Sequence, residues 1–233
     1  MAITKRLEVP GFWPIEKKTK KYTASLLPGP HNSQTAFTLT VVIRDILKHA
    51  ETMNEVKQIL RSGAVKVNGR SRKEPGFPAG LMDVLTVGEE KYRVLPGKHG
   101  IYLKKIENKE AEFMLKKIKN KTTIKKGKSQ LHFHDGTTMI SEGNFRTGDV
   151  LVMDVQSGAV RDTIRQESGS LVIVIKGNNR GAVGTIDNIK IVKSPKPNIV
   201  DIKAGERQIT LPLEYIFVIG RQEPVISLGE KNE

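Results

Sequence analysis

From residue 37 apolar side chains recur with helical spacing at Leu39, Val42, Ile43, Ile46, Leu47 and Ala50. This predicts a helix and sets Arg44 and Lys48 four apart on another face. Thr52-Met-Asn-Glu55 then has the form of a capping box, with Thr52 as N-cap and Glu55 at N3. The second helix it opens buries Val56, Ile59 and Leu60 and leaves Lys57 and Arg61 on a shared outer face. Gly63 stands where a left-handed residue closes such a helix. Val65 and Val67 alternate with Lys66, which predicts a strand with the valines on one side and the lysine on the other. Asn68-Gly69 follows, the strongest short signal for a tight hairpin, because both central residues must take positive φ. Beyond it, Pro75, Gly76, Pro78 and Gly80 bend a connection into an apolar, strand-like run ending in DVLTV. Residues 37–97 therefore read as helix, helix, strand, turn, loop and strand.

On either side the pattern changes. In residues 1–36, Pro10, Pro14, Pro28 and Pro30 forbid a long helix, so an extended basic arm is expected, pinned by Phe12 and Trp13. Beyond residue 98, runs such as GIYLKKI, SQLHFHDG and GDVLVMDV look like short strands between Gly, Asn and Asp turns. Residues 109–120 fit helix or strand. A second strand group runs from SLVIVIKG to EYIFVIG and ends in a polar tail. Two β segments, 98–168 and 169–233, are expected as small barrel-like modules or partly open sheets. The whole is a multi-domain α+β chain.

Composition narrows the chemistry. The 233 residues contain no cysteine, which excludes disulfides, thiolate metal sites and thiol catalysis. Aromatics make up only 5%, too few for a large aromatic-lined cofactor pocket. The N-terminal stretch lacks the apolar core of a signal peptide, and LVIVI at 171–175 is strand-sized, so a soluble protein inside the cell is expected. Charge is distributed unevenly. Residues 1–128 hold 27 Lys and Arg against 12 Asp and Glu, whereas residues 129–233 hold 12 against 13. Such local excess repels itself unless a polyanion neutralises it, and no basic amphipathic helix with bulky apolar residues points to a membrane.

The stretch from Val56 through Gly63, Val65, Val67, Asn68 and Gly69 to Val84 resembles the S-four RNA-binding domain. It departs from the commonest form after the turn, where FPAGLMDVLTV replaces a Gly-Asp before the strand. Together with KRLEVPGFWPIEKK, LLPGPH, KGNNRGAVGTI and EYIFVIG in order along the chain, it resembles the archaeal and eukaryotic small-subunit ribosomal proteins of the S-four-e family. That resemblance implies a non-catalytic, cytoplasmic constituent of the small subunit, one copy each. Its partners would be ribosomal RNA and neighbouring ribosomal proteins, with no cofactor, small-molecule substrate or membrane. The RNA contacts it implies are Lys5, Arg6, Lys17, Lys18, Lys20 and Lys21 on the arm, Arg44, Lys48, Lys57 and Arg61 on the helices, and Lys66, Arg70, Arg72 and Lys73 on and after the hairpin. Cations on rigid elements can match phosphate spacing without reading sequence.

GNNRGAVGTI resembles the loop of a KOW module in a small SH3-like barrel. Gly177 and Gly181 would permit its turn and Gly184 close strand packing, while Asn178, Asn179 and Arg180 project outward. It is no nucleotide loop, since no Gly-Lys-Ser/Thr follows. His132 and His134 with Asp135 suggest a metal only weakly, because no third ligand is evident. No nucleophile elbow or paired carboxylates emerge, and no metal is assigned. The alternatives are an RNA-modifying enzyme of pseudouridine-synthase type, which needs a catalytic Asp in a separate domain, and a KOW-type transcription factor.

Overall fold

The computed structural model describes residues 3–124, 127–192, 197–205 and 207–229, so the last four residues of the expected polar tail lie outside the described residues. The fold is mostly β and falls into two compact units, Met1–Leu95 with His99–Ala111, and Pro96–Lys98 with Glu112–Glu233. The arm belongs to the first unit, and so do residues 99–111, which open the first later β segment; the rest of both segments belongs to the second.

In the first unit β1 (Ile3–Lys5) pairs antiparallel with β2 (Tyr22–Ala24). β3 (Ala36–Thr38) leads into one wide helical turn, Val41–Ile46, and then α1 (Met53–Arg61). β4 (Val65–Val67), β5 (Arg70–Ser71), β6 (Pro78–Gly80), β7 (Val84–Val87), β8 (Glu90–Gly97) and β9 (Gly100–Lys105) follow. β6 pairs with β3, and the remaining strands form a sheet in the order β5-β4-β7-β8-β9.

The helix expected over 37–50 is thus reduced to a single turn. Thr38, Thr40, Val41, Val42 and Ile43 are β-branched and stiff at χ1, which weakens a helix. Residues 36–38 instead satisfy their backbone against Pro78–Gly80. The Thr38 hydroxyl accepts the Val41 N–H at 3.3 Å, and the Leu47 N–H reaches the Val42 carbonyl at 2.9 Å. Lys48 then turns left-handed at φ 57°. Leu39, Val42, Ile43 and Ala50 are buried as the pattern requires, whereas Ile46 and Leu47 are only half-buried. The pattern is right for four of its six inward side chains; the backbone that carries them is different.

The arm is not extended away from the unit but built into it. The Trp13 indole donates to the Ala36 carbonyl at 3.1 Å, and the Phe12 ring lies 5.7 Å from that of Phe37. Arg6 donates to the Glu16 carbonyl at 2.7 Å and pairs with Asp45 at 3.2 Å. Residues 25–31 lie against residues 76–80 so closely that glycine is required. A Cβ on Gly76 would meet the Ser25 carbonyl oxygen at 2.5 Å, one on Gly29 would meet Pro78 at 2.6 Å, and one on Gly80 would enter the His31 ring.

In the second unit, β10 (Phe113–Thr123), β11 (Ser129–Phe133), β12 (Thr138–Ser141), β13 (Val150–Asp154) and β14 (Val160–Ile164) are ordered β12-β11-β10-β13-β14. β15 (Leu171–Val174), β16 (Val183–Lys190), β17 (Ile199–Ala204), β18 (Arg207–Pro212) and β19 (Ile216–Gly220) are ordered β18-β17-β16-β15-β19. The ambiguous stretch 109–120 becomes a short 3-10 turn, Glu110–Glu112, and then strand β10. A bulge between Ile118 and Asn120 bends β10 so that its first half pairs with β13 and its second with β11. Among the described residues the outer strands of neither sheet pair with each other, so both are open sheets.

Met114, Ile118, Leu131, Phe133, Leu151 and Met153 form the core under the first of these sheets. Where the two sheets meet, the His134 ring stands edge-on to Phe217 at 5.3 Å, and the Lys117 ammonium donates to the Ile216 carbonyl at 2.7 Å. Burial pushes the Lys117 ammonium down to about 8, against a smaller opposing pull from Glu214. Between pH 8 and pH 10 the unfolded chain keeps a proton there that the folded chain has shed, so stability rises with pH. The gain is on the order of 2 kcal/mol and should vanish in Lys117→Met, as read from urea midpoints at pH 7 and pH 9.5. An identical pH response in the variant would show that Lys117 does not titrate in this range. Readings stay below pH 10, above which Tyr92, raised to about 12 by burial and by Glu90, contributes with the opposite sign.

Candidate nucleic-acid interface

The capping box holds as read. The Thr52 hydroxyl oxygen accepts the Glu55 N–H at 3.3 Å, while the Glu55 carboxylate accepts the Glu51 and Thr52 N–H groups at 2.8 and 3.4 Å. These hydrogen bonds hold the Glu55 carboxyl below its usual range. α1 buries Val56 and Leu60, which leaves Lys57 half-buried and Arg61 exposed one turn further on. Gly63 closes the helix at φ 79°.

β4 then buries Val65 and Val67 and turns Lys66 outward. Its cross-strand neighbours are Ser71 and Thr86, too short to cover a lysine. Asn68 and Gly69 take φ of 48° and 75°, the left-handed pair that the turn demands. Asn68 also anchors the turn: its amide donates to Asp83 at 2.7 Å and its carbonyl accepts the Val84 N–H at 2.9 Å. The other Asp83 oxygen accepts the Gly80 N–H at 2.9 Å and lies 3.0 Å from His31 Nε2. Arg70 and Lys73 are exposed, and the Arg72 guanidinium lies 4.4 Å from the Phe77 ring centroid. Among the described residues no carboxylate lies within 4.0 Å of Lys57, Arg61, Lys66, Arg70, Arg72 or Lys73. Asp83 and His31, which hold the tip in place, escaped the sequence reading; the lone Asp in the apolar run GLMDV was the available signal.

Two expected contacts belong elsewhere. Arg6 is 3% exposed, and the Arg44 side chain is 8% exposed. Both guanidiniums share the Asp45 carboxylate, Arg44 at 2.8 Å. With the helix shortened, Arg44 and Lys48 do not share a helical face: Arg44 joins this buried triad while Lys48 stays exposed. The arm's other cations are exposed. Lys5 lies 3.9 Å from Glu8, Lys20 donates to the Glu51 carbonyl, Lys21 lies 5.3 Å from the Tyr22 ring centroid, and Lys17 and Lys18 project from the turn between.

In the second unit the loop 177–181 joins β15 to β16. Gly177 and Gly181 adopt φ of 84° and 82°, and a Cβ on Gly184 would strike the Lys203 carbonyl oxygen at 2.5 Å. Asn178 and Asn179 are exposed, whereas Arg180 is half-buried and not fully outward as expected. His132 and His134 do not converge on a common ligand position. His132 Nε2 lies 3.2 Å from the Thr122 hydroxyl, and His134 Nδ1 accepts the Lys117 N–H. Residues 98–128 carry 11 of the lysines against three glutamates. Several of these lysines are neutralised, Lys105 by Glu90, Lys116 by Asp135 and Lys128 by Glu142.

Comparison with known proteins matches residues 4–34 to the RS4NT (NUC023) domain, residues 40–85 to the S4 domain and residues 88–160 to the description "Ribosomal family S4e". The small ribosomal subunit protein eS4 of Methanothermobacter thermautotrophicus is 42% identical over 96% of this chain and 94% of its own length. The chain belongs to the ribosomal S4e family. The eS4 protein of Archaeoglobus fulgidus is 38% identical over 97% of both chains. The crystal structure of 30S ribosomal protein S4e from Thermoplasma acidophilum superposes with a TM-score of 0.72 at 29% identity, covering 84% of this chain and all of that one. In this S4e chain the S4 match spans α1, the Asn68-Gly69 turn and Asp83, the parts that present Lys57, Arg61 and Lys66.

Proposed function

We propose that this S4e chain is a non-catalytic constituent of the small ribosomal subunit and binds ribosomal RNA through its first unit. The observation that carries this reading is a set of cations without carboxylate partners on two rigid elements, Lys57 and Arg61 on α1 and Lys66, Arg70 and Lys73 on and after the hairpin. The name shared by its relatives supports it, as does the S4 domain match. Lys5, Lys17, Lys18, Lys20 and Lys21 extend the same surface chemistry along the arm. In the ribosome the chain works in the cytoplasm, as one copy per subunit, beside neighbouring ribosomal proteins. The action is neutralisation of phosphate charge and matching of RNA shape, not a reaction.

The enzyme alternative needs an aspartate free to act. Four buried aspartates are occupied instead: Asp83 by Asn68 and Gly80, Asp135 by Lys116 and Thr137, Asp149 by the Arg146 and Gln166 N–H groups, and Asp201 by Lys190 and Thr210. The loop at 177–181 is proposed as a KOW-type turn that presents Asn178 and Asn179.

The test is the salt dependence of binding to small-subunit RNA. About five phosphate contacts should give a log–log slope of roughly −4 to −5. A slope near zero would remove phosphate neutralisation as the basis of binding.

A further inference from the structure

β1 and the residues after it are oriented against the usual rule. Ile3 is 59% exposed and Leu7 71% exposed, while Arg6 between them is turned inward. Tyr22 on β2 is 44% exposed and stands directly across from Lys5 in the strand register, with Ile3 on the diagonal. Arg6 turns inward to Asp45, and although Ala24, the register partner of Ile3, is buried, Ile3, Lys5, Leu7 and Tyr22 stay exposed as a mixed apolar and cationic patch. That face also carries Lys5, with the Lys21 ammonium 5.3 Å from the Tyr22 ring centroid. Nucleic acid is the polymer that offers a negative charge and a flat apolar surface in each repeat unit. Single-stranded and bulged RNA presents that surface, whereas a continuous duplex hides it within the stack.

We propose that the β1–β2 ribbon is a second RNA site, distinct in kind from the helix and hairpin surface. It takes an unpaired nucleotide, whose base stacks on Tyr22 while Lys5 and Lys21 hold the flanking phosphates and Ile3 and Leu7 cover apolar edges. The inference rests on the RNA-binding reading of the chain and adds to it a preference for a bulged or unpaired position. An acidic, apolar protein surface is the competing occupant.

The test uses the full chain and two RNA hairpins of equal stem length, one fully paired and one with a single bulged 2-aminopurine. Wild-type protein should bind the bulged stem about tenfold more tightly and quench the 2-aminopurine fluorescence. Tyr22→Ala should lose both the preference and the quenching, yet bind the paired stem within about twofold of wild type. Tyr22→Phe should restore both. Tyr22 is exposed, so its variants should melt as wild type does. If Tyr22→Ala keeps the preference, or if wild type binds both stems equally without quenching, base stacking is overturned while the wider RNA reading survives. A protein that binds neither stem overturns both together.

Discussion

Replacing Lys57, Arg61 and Lys66 together with glutamate should weaken binding to small-subunit RNA by about a thousandfold at moderate salt. Three favourable phosphate contacts are lost and three repulsive ones appear. The fold should survive, because Arg61 and Lys66 are exposed, Lys57 is half-buried, and no carboxylate partner is stripped. The cost to stability is confined to the last turn of α1, where Arg61→Glu places a negative charge against the helix dipole, a loss of about 0.5 kcal/mol. Binding isotherms and circular dichroism on the same preparation separate the two effects. A triple variant that binds normally would transfer the affinity to the arm or to the second unit.

Asp83→Ala should instead act on the fold. The carboxylate is 4% exposed and holds the Asn68 side chain, the Gly80 N–H and His31 around one point. It also helps keep the wholly buried Arg93 guanidinium charged, against a burial that lowers its pKa and beside its closer partner Glu110. Truncation leaves buried donors without acceptors and should cost about 3–4 kcal/mol. The expected sign is a lowered urea midpoint at unchanged slope. By contrast, Lys105→Ala breaks an exposed 2.6 Å pair with Glu90 and should lower the midpoint far less than Asp83→Ala does. Equal losses in the two variants would mean that Asp83 does not organise this region.

The parts of the fold legible in the sequence were those fixed by neighbours in the chain. The capping box, Gly63 and the Asn68-Gly69 turn each depend on residues within four positions of one another, and each is where the pattern placed it. The helix over 37–50 misled because apolar spacing reports which side chains are buried, not how the backbone is paired. Its decisive partner, Pro78–Gly80, lies forty residues away. Formal charge misled in the same manner. Arg6 and Arg44 count as surface cations in any tally, yet both converge on Asp45. The cations of α1 and the hairpin could be placed outward because strong local signals fixed their elements. Asp83 was marked only as a lone Asp in an apolar run and His31 not at all, since their roles exist only once the two segments meet.

The close approach between residues 25–31 and 76–80 bears on the order in which this protein is made. The arm, with six cations against two carboxylates, leaves the ribosome ahead of residues 76–80. The glycine-lined surface that receives it is some fifty residues behind, a delay of several seconds at about 5–20 residues per second. During that interval Trp13 can already reach Ala36, but the Leu27 N–H still lacks the Gly76 carbonyl that accepts it at 2.9 Å. Docking of residues 25–31 therefore waits on Gly76 and Gly80, whose emergence sets when this part of the unit can close.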